Sequence, residues 1–110
     1  MNPLEISLLL YLESRLVEHG GTVVFKKIRQ EERRILQKWI DDGFIFFGDI
    51  KPEDIRNFDG FQIDKWVLFS PQAWRVARRE RFRRAIRLEQ RLKVQRLGVK
   101  EDMRYTGGLG

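Results

Sequence analysis

Arginine is the residue type whose spacing in this sequence most clearly indicates a chemical role. Eight arginines fall within seventeen positions, and only Glu80 and Glu89 provide acidic side chains among them. A guanidinium stays charged and donates hydrogen bonds in a fork that matches phosphate and carboxylate oxygens. Most of this charge therefore lacks a nearby acidic partner, and the segment predicts a surface that attracts polyanions. The eight are Arg75, Arg78, Arg79, Arg81, Arg83, Arg84, Arg87 and Arg91.

The positive charge of the chain lies almost entirely in its last third. The 110 residues include 22 Lys and Arg against 16 Asp and Glu, a net charge of +6. Residues 1–70 contain 10 basic and 12 acidic side chains, a net of −2, whereas residues 71–110 contain 12 and 4, a net of +8. Nucleic acid is the partner that such a concentrated field favours. An acidic protein surface and a merely solvated helix face are the alternatives.

The remaining residue types argue against catalysis. The chain has no cysteine and one histidine, His19. Thiolate metal sites, thiol nucleophiles and disulfides are excluded, and no second catalytic group lies near His19 in sequence. The acidic pairs at 41–42 and 53–54 consist of neighbours whose side chains point apart, and no glycine-rich loop could hold a phosphate. We therefore expect a protein that is not an enzyme, with no cofactor, metal or small-molecule substrate.

Length and apolar patterning predict one soluble domain with a terminal extension. Apolar residues make up 42 %, too many for a disordered chain. The longest apolar run, residues 8–12, is far shorter than the roughly 20 residues of a membrane span. No basic segment precedes an apolar one at the start, so a signal peptide is not indicated. We expect an intracellular, cytoplasmic protein that does not bind membranes.

The first third of the chain predicts a helix followed by a short strand. Asn2 is a potential N-cap, Pro3 suits the first helical position, and Glu5 completes a capping-box spacing. The helix should end near His19, before two glycines, and its apolar residues occupy several faces. The β-branched and aromatic run at 22–25 predicts a brief strand.

The segment from Lys26 to Asp42 is predicted to be helical, as one helix or as two. Ile35, Leu36, Trp39 and Ile40 fall in one arc of about 140° on a helical wheel. No Gly, Pro or Asn marks a turn between residues 26 and 31, and the apolar seam that starts at Phe25 is broken only at Glu32. A helix pair and a single continuous helix both remain open. The strand 44–48 should follow at once.

The second half of the chain predicts a hairpin, a strand and a long helix. Asp59-Gly60 suits a two-residue hairpin turn, and residues 65–69 are typical of a returning strand. Ser70-Pro71 marks the start of a helix, which we expect to continue for about 26 residues until Gly98 stops it. Its narrow apolar seam, interrupted by Arg81, indicates that only the first turns pack on the core. The tail beyond is glycine-rich.

This order of helix, short strand, helix, strand, wing and strand resembles a winged helix-turn-helix domain of the kind found in small bacterial and phage regulators. The resemblance covers residues 4–77, and the segments 34–45 and 67–74 carry it. It implies an α+β fold with a winged-helix-like core at 1–70. To this core the residues themselves add a basic C-terminal helix at 71–98 and a flexible tail at 99–110. The resemblance also implies a role in transcription regulation and favours DNA over RNA as the partner, and RNA remains the alternative.

Within that interpretation, base-edge contacts are expected from Arg34 and Gln37 on the exposed face of the helix 31–42. The wing, with five carboxylates against two basic residues, is not expected to enter a minor groove. A homodimer through the first or last helix is possible. The competing hypothesis is a protein-interaction subunit that docks on an acidic surface of a larger assembly.

If the partner is nucleic acid, phosphate contacts are expected from Lys26, Lys27, Arg29, Arg33, Lys38, Arg75, Arg78, Arg79, Arg83, Arg84, Arg87 and Arg91.

Overall fold

A computed structural model describes residues 1–58 and 60–103. In this part of the chain, three α-helices and small antiparallel sheets form an α+β fold. The chain forms two compact units, Met1–Arg78 and a second that begins at Arg79. In chain order the helices and strands are α1 (Pro3–His19), β1 (Thr22–Val23), α2 (Gln30–Asp41), β2 (Ile45–Asp49), β3 (Arg56–Phe58), β4 (Phe61–Ile63), β5 (Lys65–Phe69) and α3 (Pro71–Met103).

Helix α1 begins and ends where the sequence predicts. The Asn2 side chain accepts the N–H of Glu5 at 2.8 Å, and the Glu5 carboxylate accepts the N–H of Asn2 at 2.9 Å. Gly20 ends the helix in the left-handed region at φ 65°, where a side chain would add strain. Successive leucines at positions 8, 9 and 10 are all buried, as is Leu12. The helix is therefore surrounded by the core on several sides, as its multi-faced apolar pattern predicts.

The three-stranded sheet has the order β1-β5-β2, and all neighbours are antiparallel. Strand β5 is central and places Val67 and Phe69 in the core, opposite Phe47 and Ile45 of β2. The strands differ in detail from the prediction. Strand β1 ends at Val23, and β2 covers 45–49 rather than 44–48, because the backbone N–H at position 44 still bonds to Trp39 of the preceding helix.

Residues 25–42 form neither one continuous helix nor two α-helices. Phe25–Lys27 make a single 3-10 turn, and α2 begins only at Gln30. Between them Ile28 has an extended backbone, with φ −91° and ψ 119°, and its side chain is 1 % exposed in the core. Burial of Ile28 thus breaks the helical path, although no glycine or proline is present. Leu36 and Trp39 are buried, and the predicted apolar face of α2 is confirmed.

The segment between β2 and β5 contains the predicted hairpin. Strands β3 and β4 pair with Phe58 opposite Phe61, so two residues connect them, and Gly60 has φ 82°. Asp59, the other predicted turn residue, lies outside the described residues. The end of this segment is fixed to the 3-10 turn, because the Asp64 carboxylate accepts the N–H of Phe25 at 3.1 Å.

Helix α3 starts as predicted but does not stop at Gly98. The Ser70 hydroxyl accepts the N–H of Ala73 at 3.0 Å, which caps the first turn. Ala73 and Ala77 belong to the core, with Trp74 and Val76 packed against it. The helix then continues to Met103. The predicted end at 98 is wrong because an interior glycine costs only about 1 kcal/mol relative to alanine, which neighbouring helix-forming residues can offset. Residues 104–110 of the predicted tail lie outside the described residues.

The outer face of the sheet is apolar. Phe46 and Leu68 are opposite each other on β2 and β5 and are 49 % and 54 % exposed. The Trp66 ring covers Gly48, where an added Cβ would lie 2.5 Å from the indole, and its Nε1 donates to the Asp49 carbonyl at 3.1 Å. Glycine at 48 is thus required by this close approach.

The phenol of Tyr11 is the one described group whose pKa departs clearly from its ordinary value. Burial beside the core raises the pKa, Arg15 opposes this shift, and Glu32 adds to it. Removal from water disfavours the phenolate, so the phenol stays neutral further into the alkaline range.

No helix in the described part of the chain combines the length and the apolar character needed to cross a membrane.

Candidate nucleic-acid interface

The arginines of α3 beyond Arg78 lie mainly on one side of the helix. At 3.6 residues per turn, five of them fall within an arc of about 140°. All five are exposed. We call this surface the basic arc. Its members are Arg79, Arg83, Arg84, Arg87 and Arg91.

Most guanidinium groups of the basic arc are not neutralised within the protein. Arg83 is ion-paired with Glu80 at 2.8 Å, and Glu80 is only 5 % exposed. Among residues 1–57 and 60–95, whose side chains the structure describes, the other four members make no ion pair. Their charges are therefore available to an external anion. Four charges on 13 residues of helix occupy about 18 Å of its length.

The remaining arginines of α3 differ from the basic arc in position. Arg75 and Arg78 are exposed on the part of α3 that belongs to the first compact unit. Arg81 is exposed on the opposite side of the helix from the basic arc and has an interaction within the protein. Arg81 is one of the eight arginines of the predicted segment and also the residue that interrupts the apolar seam.

The exposed face of α2 carries charges of both signs. Arg34, Gln37 and Lys38 are exposed, as predicted for base-edge and phosphate contacts. Glu31 and Asp41 are exposed on the same side, and the Gln37 amide donates to the Asp41 carboxylate at 3.0 Å. This face is close to neutral, so α2 contributes little long-range attraction for a polyanion.

Arg33 has a structural role that the sequence analysis misses. Its Nε donates to the Ile28 carbonyl at 2.8 Å, and its guanidinium also donates to the Phe25 carbonyl at 3.2 Å. The guanidinium carbon lies 4.1 Å from the centroid of the Phe25 ring. Arg33 therefore links the 3-10 turn to α2, and two of its five N–H donors bond to backbone carbonyls of the fold. No sequence motif marks an arginine that donates to the carbonyls of an irregular segment.

The basic residues before α2 that are predicted to contact phosphates are exposed, and two of them also contact other side chains. Arg29 is ion-paired with Glu32 at 3.5 Å. The Lys27 ammonium lies 4.8 Å from the centroid of the Phe61 ring. Lys26 and Phe61 line a groove of about 550 Å³ between the 3-10 turn and the β3–β4 hairpin. No sequence pattern predicts this groove, because it arises where the hairpin folds back toward residues 25–27.

No cluster of three or more potential metal ligands occurs among the residues that the structure describes. Comparison of the chain with protein-family models, with curated proteins and with solved structures finds no match.

Proposed function

We propose that this protein binds nucleic acid through the basic arc of α3, and that it acts as a small DNA-binding regulator. The observation that carries the proposal is the set of exposed guanidinium groups at positions 79, 84, 87 and 91, which have no ion-pair partner among the described side chains. Each such cation that meets a phosphate releases condensed counterions, which makes binding strong at low salt and independent of sequence.

The shape of the surface favours duplex DNA over duplex RNA. An α-helix with its side chains is about 10–12 Å across, and the major groove of B-form DNA is about 12 Å wide. The major groove of A-form RNA is too narrow and deep for side chains to read. A basic arc of about 140° would contact the phosphates on one side of such a groove.

Sequence selectivity, on this proposal, comes from α2. Its position between β1 and β2, ahead of a hairpin-containing segment and a returning strand, follows the order of elements that resembles a winged helix. Arg34 and Gln37 are exposed there and have the donors and acceptors that suit guanine and adenine edges. Because the face is nearly neutral, we assign to α2 a role in discrimination and to α3 the affinity.

A protein-interaction subunit is the second candidate. The exposed pair Phe46 and Leu68 on the outer face of the sheet favours it, because apolar surface that faces solvent is typical of protein contacts. The basic arc would then dock on an acidic protein surface.

A mobility-shift comparison tests the proposal. Labelled duplex DNA, single-stranded DNA and RNA of the same length are titrated with the protein at low and at near-physiological salt. We expect all three to bind at low salt, duplex DNA most tightly, and affinity to fall steeply as salt rises. Absence of binding to every nucleic acid at low salt would remove the nucleic-acid function and leave the second candidate.

A further inference from the structure

The side of α3 opposite the basic arc is apolar and exposed. Over residues 79–95 the exposed fractions are 65 % for Phe82, 53 % for Leu88 and 43 % for Leu92, and Ile86 is 37 % exposed. Ala85, Phe82, Leu88 and Leu92 form what we call the apolar arc, whereas Ile86 lies at the border of the basic arc, about 20° around the helix from Arg79. Water contact with this much apolar surface on one helix face is unfavourable, at about 25 cal/mol per Å².

The spacing within the apolar arc matches a two-helix seam. Ala85, Leu88 and Leu92 are separated by three and then four residues, which is the a-d-a pattern of a heptad. On the amino-terminal side the next d position is Arg81, so the seam starts at Ala85.

The charges beside the seam specify a second copy in parallel orientation. Arg84 occupies the g position before Ala85, and Glu89 occupies the e position after Leu88. In a parallel pair, a g residue faces the e residue five positions later on the partner, so Arg84 of each copy would face Glu89 of the other. An antiparallel pair would instead bring g positions together, where Arg84 and Arg91 repel.

The high positive charge of the helix does not prevent this pairing. Arg79, Arg83 and Arg87 occupy the b, f and c positions, which point away from the seam. With helix axes about 8–10 Å apart, these guanidinium groups of the two copies would be roughly 20 Å from one another, more than two Debye lengths at physiological salt. Arg84 and Arg91 are the two members of the basic arc that lie beside the seam at g positions, and Arg84 faces Glu89 of the other copy.

We propose that the apolar arc of α3 binds the apolar arc of a second copy of this chain as a short, parallel, in-register helix pair. The pair would carry one basic arc on each of its two outer sides. This inference goes beyond the proposed function, and Arg84 is the residue that both use: it belongs to the basic arc and also faces Glu89 of the other copy.

Disulfide trapping tests the pairing and its orientation. The chain has no cysteine, so each variant carries a single thiol. Cysteines at facing a positions come within bonding distance only in a parallel, in-register pair. We expect mild oxidation to cross-link both Ala85→Cys and Leu92→Cys. The matched control is Val94→Cys, which is 69 % exposed on the other side of the helix and should stay monomeric. Cross-linking of only one of the two, or of the control equally, would overturn the proposal.

Charge exchange tests the specific contact. Arg84→Glu and Arg87→Glu change the net charge equally, but only the first places two glutamates face to face across the seam. By sedimentation equilibrium we expect Arg84→Glu to dimerise at least about fivefold more weakly than Arg87→Glu, and the double variant Arg84→Glu/Glu89→Arg to recover. Circular dichroism confirms that each variant retains its helix. Equal association of the two single variants would contradict the parallel pair.

Salt dependence separates failure of this proposal from failure of the proposed function. Pairing of like-charged helices should strengthen as salt rises, whereas binding to nucleic acid should weaken. A chain that stays monomeric at roughly 100 µM at every salt concentration would overturn the pairing and leave nucleic-acid binding untouched. A monomer that binds phosphatidylserine vesicles through the same leucines would assign the apolar arc to a lipid surface instead.

Discussion

Removal of Arg87 and Arg91 should reduce the salt dependence of DNA binding by a calculable amount. Both side chains are exposed members of the basic arc, and neither has an ion-pair partner among the described side chains. Each phosphate contact contributes about 0.9 to the slope of log affinity against log salt, so Arg87→Gln/Arg91→Gln should lower the slope by about 1.8. The same relation gives a loss of affinity of about 30-fold at roughly 0.15 M salt. Glutamine has nearly the helix propensity of arginine, so the helix should be preserved.

The measurement is a fluorescence-anisotropy titration of a labelled DNA duplex at several salt concentrations. The matched control is Lys51→Gln/Arg56→Gln, which removes the same charge from two exposed residues of the segment between β2 and β5. The control should leave the slope almost unchanged. An unchanged slope in the arginine variant would show that these guanidinium groups do not contact phosphates. Equal losses in both variants would show that only total charge matters.

Three further predictions concern the fold of the first unit. Leu12→Ala should lower the free energy of unfolding in urea by about 2–5 kcal/mol because Leu12 is fully buried. Val17→Ala, at a 70 % exposed position on the same helix, should change it by less than about 0.5 kcal/mol. Since the folded-state pKa of Tyr11 is raised, stability should fall as pH rises above the ordinary tyrosine pKa of about 10, and Tyr11→Phe should remove that part of the alkaline slope. Gly48→Ala should displace the Trp66 indole, which an added Cβ would approach to 2.5 Å, and should therefore change tryptophan fluorescence.

The parts of the fold that depend on neighbours in sequence were predictable. Asn2 and Ser70 cap their helices through bonds to residues three positions away, and Gly20 ends α1 locally. The hairpin register likewise follows from its two-residue turn. In each case the chemistry is contained within a few residues, so the sequence specifies the outcome directly.

The parts that depend on tertiary packing were not predictable. The break before α2 results from burial of Ile28, and the role of Arg33 results from carbonyls that only the folded chain brings to it. Helix α3 continues past Gly98, because the helix propensity of the surrounding residues offsets the small free-energy cost of an interior glycine. For the site, the sequence identified the arginines, and helical geometry then separated the basic arc from the apolar arc.

Side-chain NMR of the arginine Nε–Hε groups reports directly whether the basic arc contacts DNA. The spectrum of the protein is recorded with and without an equimolar DNA duplex. We predict that the signals of Arg79, Arg87 and Arg91 shift and become protected from exchange with water. Arg15 and Arg33, which donate to backbone carbonyls at 2.6 and 2.8 Å, serve as internal controls and should not change. Signals of the basic arc that stay unaltered while the DNA is bound would contradict the account.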